Sequence, residues 1–264
     1  MDPSNKNSLL EAAKAGDIET VTKLHELNDT LITQTDENGR NALLLAAQNG
    51  HIETVVELNK LNGTLITQTD IRGSNALHLA AANGHTETVI ELNELNKTLI
   101  TQKPNNGRNA LHAAAIVGHT ETVVELNKLN GTLITQTDED RLNALHMAAS
   151  TGHTETITKL HELNDTLITQ TDEDRCNALH LAAVNGHTET VVELNKLNKD
   201  LITQTDNDGR NALLLAAQNG HIETVVQLNK LNDTLITQTQ NNGCNALHLA
   251  AKNGHTETVI ALNT

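Results

Sequence analysis

The amino-acid sequence predicts an all-α solenoid, built from helix-turn-helix units of 34 residues stacked one on the next. Two observations carry that prediction. The triplet Asn-Ala-Leu begins at Asn41, Asn75, Asn109, Asn143, Asn177, Asn211 and Asn245, and every step is 34 residues. The chain has no Phe, Tyr or Trp, so its core must be assembled from Leu, Ile, Val and Ala. A fixed period of this length means an array. One pair of short helices cannot bury its apolar face alone, so copies must stack.

The unit 75–108 shows each element in order. Asn75 caps a short run of strong helix formers, Ala76 to Ala81. Asn83-Gly84 ends it, glycine taking the left-handed turn. A second helix runs from about Thr86 to Leu95, with Val89, Leu92 and Leu95 near one face and Glu87, Glu91 and Glu94 largely on the other. Asn96 reads as a left-handed cap, and Thr98-Leu99-Ile100-Thr101 as a brief extended stretch leading into a turn.

The same phase divides residues 1–264 as a single array. A capping unit covers about 1–40, where a degenerate copy begins at Asn7. Repeats start near 41, 75, 109, 143, 177 and 211, and a shortened last unit spans 245–264. With packed helices 8–10 Å apart, eight units make a curved rod roughly 70 Å long. Leu, Ile and Val number 39, 15 and 13 of 264 residues, above the roughly 20 % below which highly charged chains are disordered. The formal net charge of −15 opposes nucleic-acid binding, which needs clustered Lys and Arg. No apolar run is long enough for a membrane span. The opening residues lack the apolar stretch of a secretory leader.

The repeated motif resembles that of ankyrin repeats. The family pattern Thr-Pro-Leu-His-x-Ala-Ala with a later Gly-His is matched by Asn75-Ala76-Leu77-His78-Leu79-Ala80-Ala81 and Gly84-His85. The Asp206-Asn207-Asp208-Gly209-Arg210 stretch resembles the family's hairpin tip. The resemblance covers essentially the whole chain and implies an ankyrin-repeat solenoid, its units joined by short β-hairpin-like turns. Two departures stand out. The unit has 34 residues, not 33, with the extra one placed in the Leu-Ile-Thr-Gln-Thr-Asp stretch. Asn-Ala replaces Thr-Pro, so the cap is kept and proline's fixed first-turn geometry is lost. A tetratricopeptide array shares the period, but its aromatic positions are missing here.

The chemistry-bearing residues read as structural. The 14 histidines fall mostly in two columns spaced by whole repeats, about 10 Å apart along a stack, too far to share a metal ion. They read as rings that tie helix starts and turns together. If the seven Gly-His rings are packed neutral, acid near pH 5 loosens the stack. His25-Glu26 and His161-Glu162 start a zinc-protease pattern, but Asp29 and Asp165 stand where its second histidine belongs. No Gly-x-Ser-x-Gly or phosphate-loop motif occurs. The column from Glu19 to Glu257 reads as a solvating stripe. Cys176 and Cys244 share a phase two units apart, about 20 Å in a stack, so they read as free thiols. Neither an enzyme, nor a metal, nor a cofactor is expected. Asn-x-Thr triplets such as Asn96-Lys97-Thr98 read as caps.

Comparison among the copies points to the functional face. Variation concentrates at the turn tips, including Arg108 and Arg210, and at the ends of first helices, including Ser150. The resemblance implies that both places line the concave side, where ankyrin arrays commonly bind proteins. Ile116, Val117, Leu142, Cys176 and Val184 put apolar atoms where other copies are mostly polar, the mark of a partner patch. Arg141 and Arg175 replace a turn glycine. The expected function is a non-catalytic scaffold for a protein partner, monomeric or weakly associated end to end. Its expected location is cytoplasmic, or the host-cell cytosol for a secreted effector. An engineered array without a natural ligand and the repeat module of a larger enzyme or effector are the alternatives. Residues 37–70 and 207–240 differ at only five positions, which favours natural segmental duplication.

Overall fold

The computed structural model describes residues 3–263, with side chains from residue 8 onward. The chain forms two compact units, Met1–Glu139 and Asp140–Thr264. In the first, helices pair as α1 Pro3–Ala15 with α2 Ile18–Leu27, α3 Ala42–Gln48 with α4 Ile52–Leu61, α5 Ala76–Ala82 with α6 Thr86–Leu95, and α7 Ala110–Val117 with α8 Thr120–Leu129. In the second, the pairs are α9 Ala144–Ser150 with α10 Thr154–Leu163, α11 Ala178–Val184 with α12 Thr188–Leu197, α13 Ala212–Gln218 with α14 Ile222–Leu231, and α15 Ala246–Lys252 with α16 Thr256–Leu262. Inside each unit first helices stack on first helices and second on second, α5 touching α3 and α7, and α12 touching α10 and α14.

From α3 onward each first helix is short because glycine stops it. Gly84 has φ +73°, and a Cβ there would lie 2.6 Å from the His119 ring, so both the turn and the neighbour exclude a side chain. Burial follows the sequence pattern: Ala76, Leu77, Ala80, Ala81, Val89 and Leu92 are fully buried, while Glu87 and Glu94 are exposed.

The capping asparagines do more than end a helix. Asn109 Oδ1 accepts the His112 N–H (3.0 Å), while its Nδ2 donates to the Leu133 carbonyl (3.0 Å) and to Gln136 Oε1 (3.3 Å). Asn41, Asn75, Asn143 and Asn177 repeat the arrangement. The start of each unit is thereby closed onto residues 24 to 27 positions later, and all five asparagines are buried.

Those later residues correct two expectations. Leu99–Thr101 is a 3-10 turn, not an extended stretch, and Asn96 is extended (φ −152°), not left-handed. Asn96 faces forward: its Oδ1 accepts the Thr98 N–H (3.0 Å) and hydroxyl (2.8 Å), and the Thr101 hydroxyl donates to the Thr98 carbonyl (2.9 Å). These bonds curl the segment so that both Leu99 and Ile100 are buried, which a strand's alternation would prevent. Asn7 lies inside α1, which begins at Pro3, instead of capping it. Among the described residues no strand forms and one isolated bridge pairs Thr239 with Asn245. The turn tips are closed locally instead, Asp36 N–H to the Arg40 carbonyl (3.0 Å) and Gly39 N–H to the Asp36 carbonyl (3.1 Å).

The Gly-His rings join neighbours. Nε2 of His85, His187, His221 and His255 meets the carbonyl of Gln48, Ser150, Val184 and Gln218, the last residue of the preceding first helix. The deeply buried rings belong to the other column: His78, His112, His146 and His180 are 0–3 % exposed. His112 Nδ1 accepts the Asn109 N–H (3.1 Å) and its Nε2 donates to the Gln136 carbonyl (3.1 Å), with the same pattern at His146 and His180. A second proton on such a ring would point at a donor. Burial lowers the pKa of His78 and His112 to about 4, and moves His180 in the same direction. Acid sensitivity is thus expected from this column.

The sign follows directly. Unfolded histidine takes a proton near pH 6.5 and folded His78 and His112 only near 4, so their contribution to stability is full above 6.5 and drains as pH falls to 4. The loss is up to about 3 kcal/mol for each of these two rings. Melting midpoints measured from pH 7.5 to 4.5 should fall, and the double substitution His112→Leu/His180→Leu, patterned on Leu44 and Leu214, should flatten that fall. Arg141 and Arg175 both sit at φ 62°, where a side chain costs about 1–2 kcal/mol. Arg175→Gly should therefore raise the urea midpoint by an amount equivalent to about 1 kcal/mol.

Candidate functional site

The turn tips are shaped by aspartate. Asp36 Oδ1 accepts the N–H of Asn38 and Arg40, and Asp70, Asp172 and Asp206 do the same two and four residues on. Where arginine ends the tip it pairs with that acid: Arg40 with Asp36 and Arg210 with Asp206, both at 2.7 Å. The tip 104–108 breaks the pattern, because Pro104 replaces the aspartate. Arg108 then crosses to Asp138, one repeat further on (3.1 Å). Successive tips are joined through the backbone, Ile71 N–H to the Asn38 carbonyl (3.0 Å) and Asn105 N–H to the Arg72 carbonyl (2.9 Å).

Between the tips 70–74 and 104–108 and the ends of α5 and α7 lies a groove of about 590 Å³. Its apolar lining comes from Ile71, Leu79, Ala82, Pro104, Ala113, Ile116 and Val117. Ile71 is 64 % and Val117 46 % exposed. Grooves at the same phase elsewhere are smaller and polar: about 290 Å³ beside Arg40, Gln48 and Asn49, and about 320 Å³ beside Arg210, Gln218 and Lys252.

Three of the residues singled out in the sequence, Arg108, Ile116 and Val117, meet in the 590 Å³ groove. The other five belong to residues 140–264, and there Leu142, Ser150, Cys176, Val184 and Arg210 are all half-buried. The Ser150 hydroxyl donates to the Met147 carbonyl (2.9 Å), and Arg210 is engaged by Asp206 and Asp208. Ile71, Pro104 and Ala113 were not singled out, although each departs from its own phase: acidic or Asn residues match Ile71, Asp or Gln match Pro104, and Leu or Met match Ala113.

Cys176 and Cys244 are unbridged. Burial, then the charges of Asp172 and Asp206, push the Cys176 thiol up to about 12. Among the described residues no three His, Cys, Asp or Glu side chains gather as metal ligands, and no helix is long and apolar enough to cross a membrane.

The geometry defines a class: tandem paired helices whose tips and first-helix ends border an open groove. A family model described as ankyrin repeats in three copies matches residues 9–97, 58–138, 77–164, 124–205 and 193–263. The chain belongs to the ankyrin-repeat family, whose members are generally non-catalytic protein-interaction modules. A search of curated proteins gives no match.

A thiol held protonated alkylates slowly. At pH 8, iodoacetamide should modify Cys176 at least about 100-fold more slowly in the folded chain than in the urea-unfolded chain, as read by peptide mass spectrometry.

Proposed function

We propose that this chain is a non-catalytic scaffold that holds a protein partner on the face made by its turn tips and first-helix ends, the concave face of an ankyrin array. The observation that carries the reading is the aliphatic lining of the 590 Å³ groove, where Ile71 and Val117 are exposed beside the half-buried Ile116. Water-facing aliphatic surface ringed by charge is a docking surface. Within residues 140–264 Leu142, Cys176 and Val184 offer similar apolar chemistry, with Ser150 and Arg210 as polar contacts there and Arg108 beside the groove. The net charge of −15 speaks against nucleic acid and for a partner that is not itself strongly acidic. Unbridged cysteines fit a reducing compartment, the cytoplasm or a host-cell cytosol.

Affinity capture tests the reading. Ile116→Asp/Val117→Asp and, separately, Leu142→Asp should each reduce partner recovery at least about tenfold with the melting midpoint kept. Recovery equal to that of the unaltered chain would remove this face from consideration.

A further inference from the structure

Resting on the protein-binding reading above, we infer that the groove between tips 70–74 and 104–108 is a socket for one aromatic anchor side chain of a partner protein, presented next to a basic residue. The socket arises from departures in three successive repeats, Ile71 and Pro104 on the tips and Ala113 and Ile116 in α7. Ala113 stands where Leu45 and Leu249 line the two smaller grooves, and Ile116 stands where Gln48 and Lys252 do. Removing a leucine side chain from the lining enlarges the space, and replacing polar wall groups with aliphatic ones dries it. The volume rises from about 290 and about 320 Å³ to about 590 Å³.

An open groove with aliphatic walls gains most from a large, rigid ring, which buries much area at low entropic cost. The chain contains no Phe, Tyr or Trp, so a second copy of itself cannot supply that ring. The rim sets the charge of the neighbour. Arg108 is held by the buried Asp138 carboxylate. Asp70, Glu139 and Arg72 line the rim, and none of the ion pairs formed among the described residues includes them. The Asp70 carboxylate, whose Oδ1 also accepts the Arg72 and Ser74 N–H groups, and the Glu139 carboxylate outnumber the Arg72 guanidinium, and on a chain of net charge −15 this favours a cation beside the anchor.

The missing aromatics also provide the assay, because any tryptophan emission comes from the probe. Acetyl-Lys-Trp-Lys-amide titrated with the full chain should show a saturable blue shift. Acetyl-Glu-Trp-Glu-amide should bind at least about fivefold more weakly. Ala113→Leu, which restores the residue most other repeats carry, should weaken the Lys peptide at least about tenfold while melting no lower than the unaltered chain. Absence of a saturable shift, equal affinity for Ala113→Leu, or equal affinity for the two peptides would overturn the inference. Partner capture kept by Ala113→Leu but lost by Leu142→Asp would overturn the socket and leave the protein-binding reading standing.

Discussion

A helix of seven residues is nearly all ends. Four N–H groups at its start and four carbonyls at its finish have no partner within it, so α3, α5, α9, α11, α13 and α15 leave more than half of their backbone groups to be satisfied from outside. Such helices are also too short to persist alone in water. The fold is the answer to that constraint. A buried asparagine takes one of the first N–H groups and clamps the 3-10 turn of its own unit, as Asn109 does with His112, Leu133 and Gln136. A histidine of the next unit then takes the last carbonyl, as His85 does at Gln48. Each copy completes its neighbour.

The same arrangement explains where the chain can vary. Glycine at the end of a first helix is fixed from two sides, by its positive φ and by the ring stacked on it. Exposed positions such as Ile71 and Arg72 on a tip and Val117 at the end of α7 bear no such duty. Substitutions there alter a surface without breaking a clamp. Pro104 shows the tolerance: it removes the acid that shapes other tips, and Arg108 finds Asp138 in its place.

Much of this was legible in the sequence. The period gave the units, and the glycine stops and histidine joints could be read from one copy. What escaped has a physical reason. An Asn-x-Thr triplet after a helix can cap backward or forward, and only the buried pair Leu99 and Ile100 decides for a forward-facing 3-10 turn. Hydroxyl pairing across repeats, Thr86 with Thr122 at 2.7 Å and Thr188 with Thr224 at 2.8 Å, leaves no mark in a list of hydrophobic positions. Of the groove, the added apolar groups Ile116 and Val117 were visible. The missing one at Ala113 was not, because a small residue signals a cavity only when the atoms around it are placed.

The claim beneath all of this is that no unit holds its helices without neighbours. A synthetic peptide spanning residues 177–210 tests it most directly, by far-ultraviolet circular dichroism over temperature. It lacks the His221 that meets the Val184 carbonyl and the Thr224 that pairs with Thr188. The expected spectrum is that of a disordered chain with no melting transition. A helical spectrum that melts cooperatively would contradict the account.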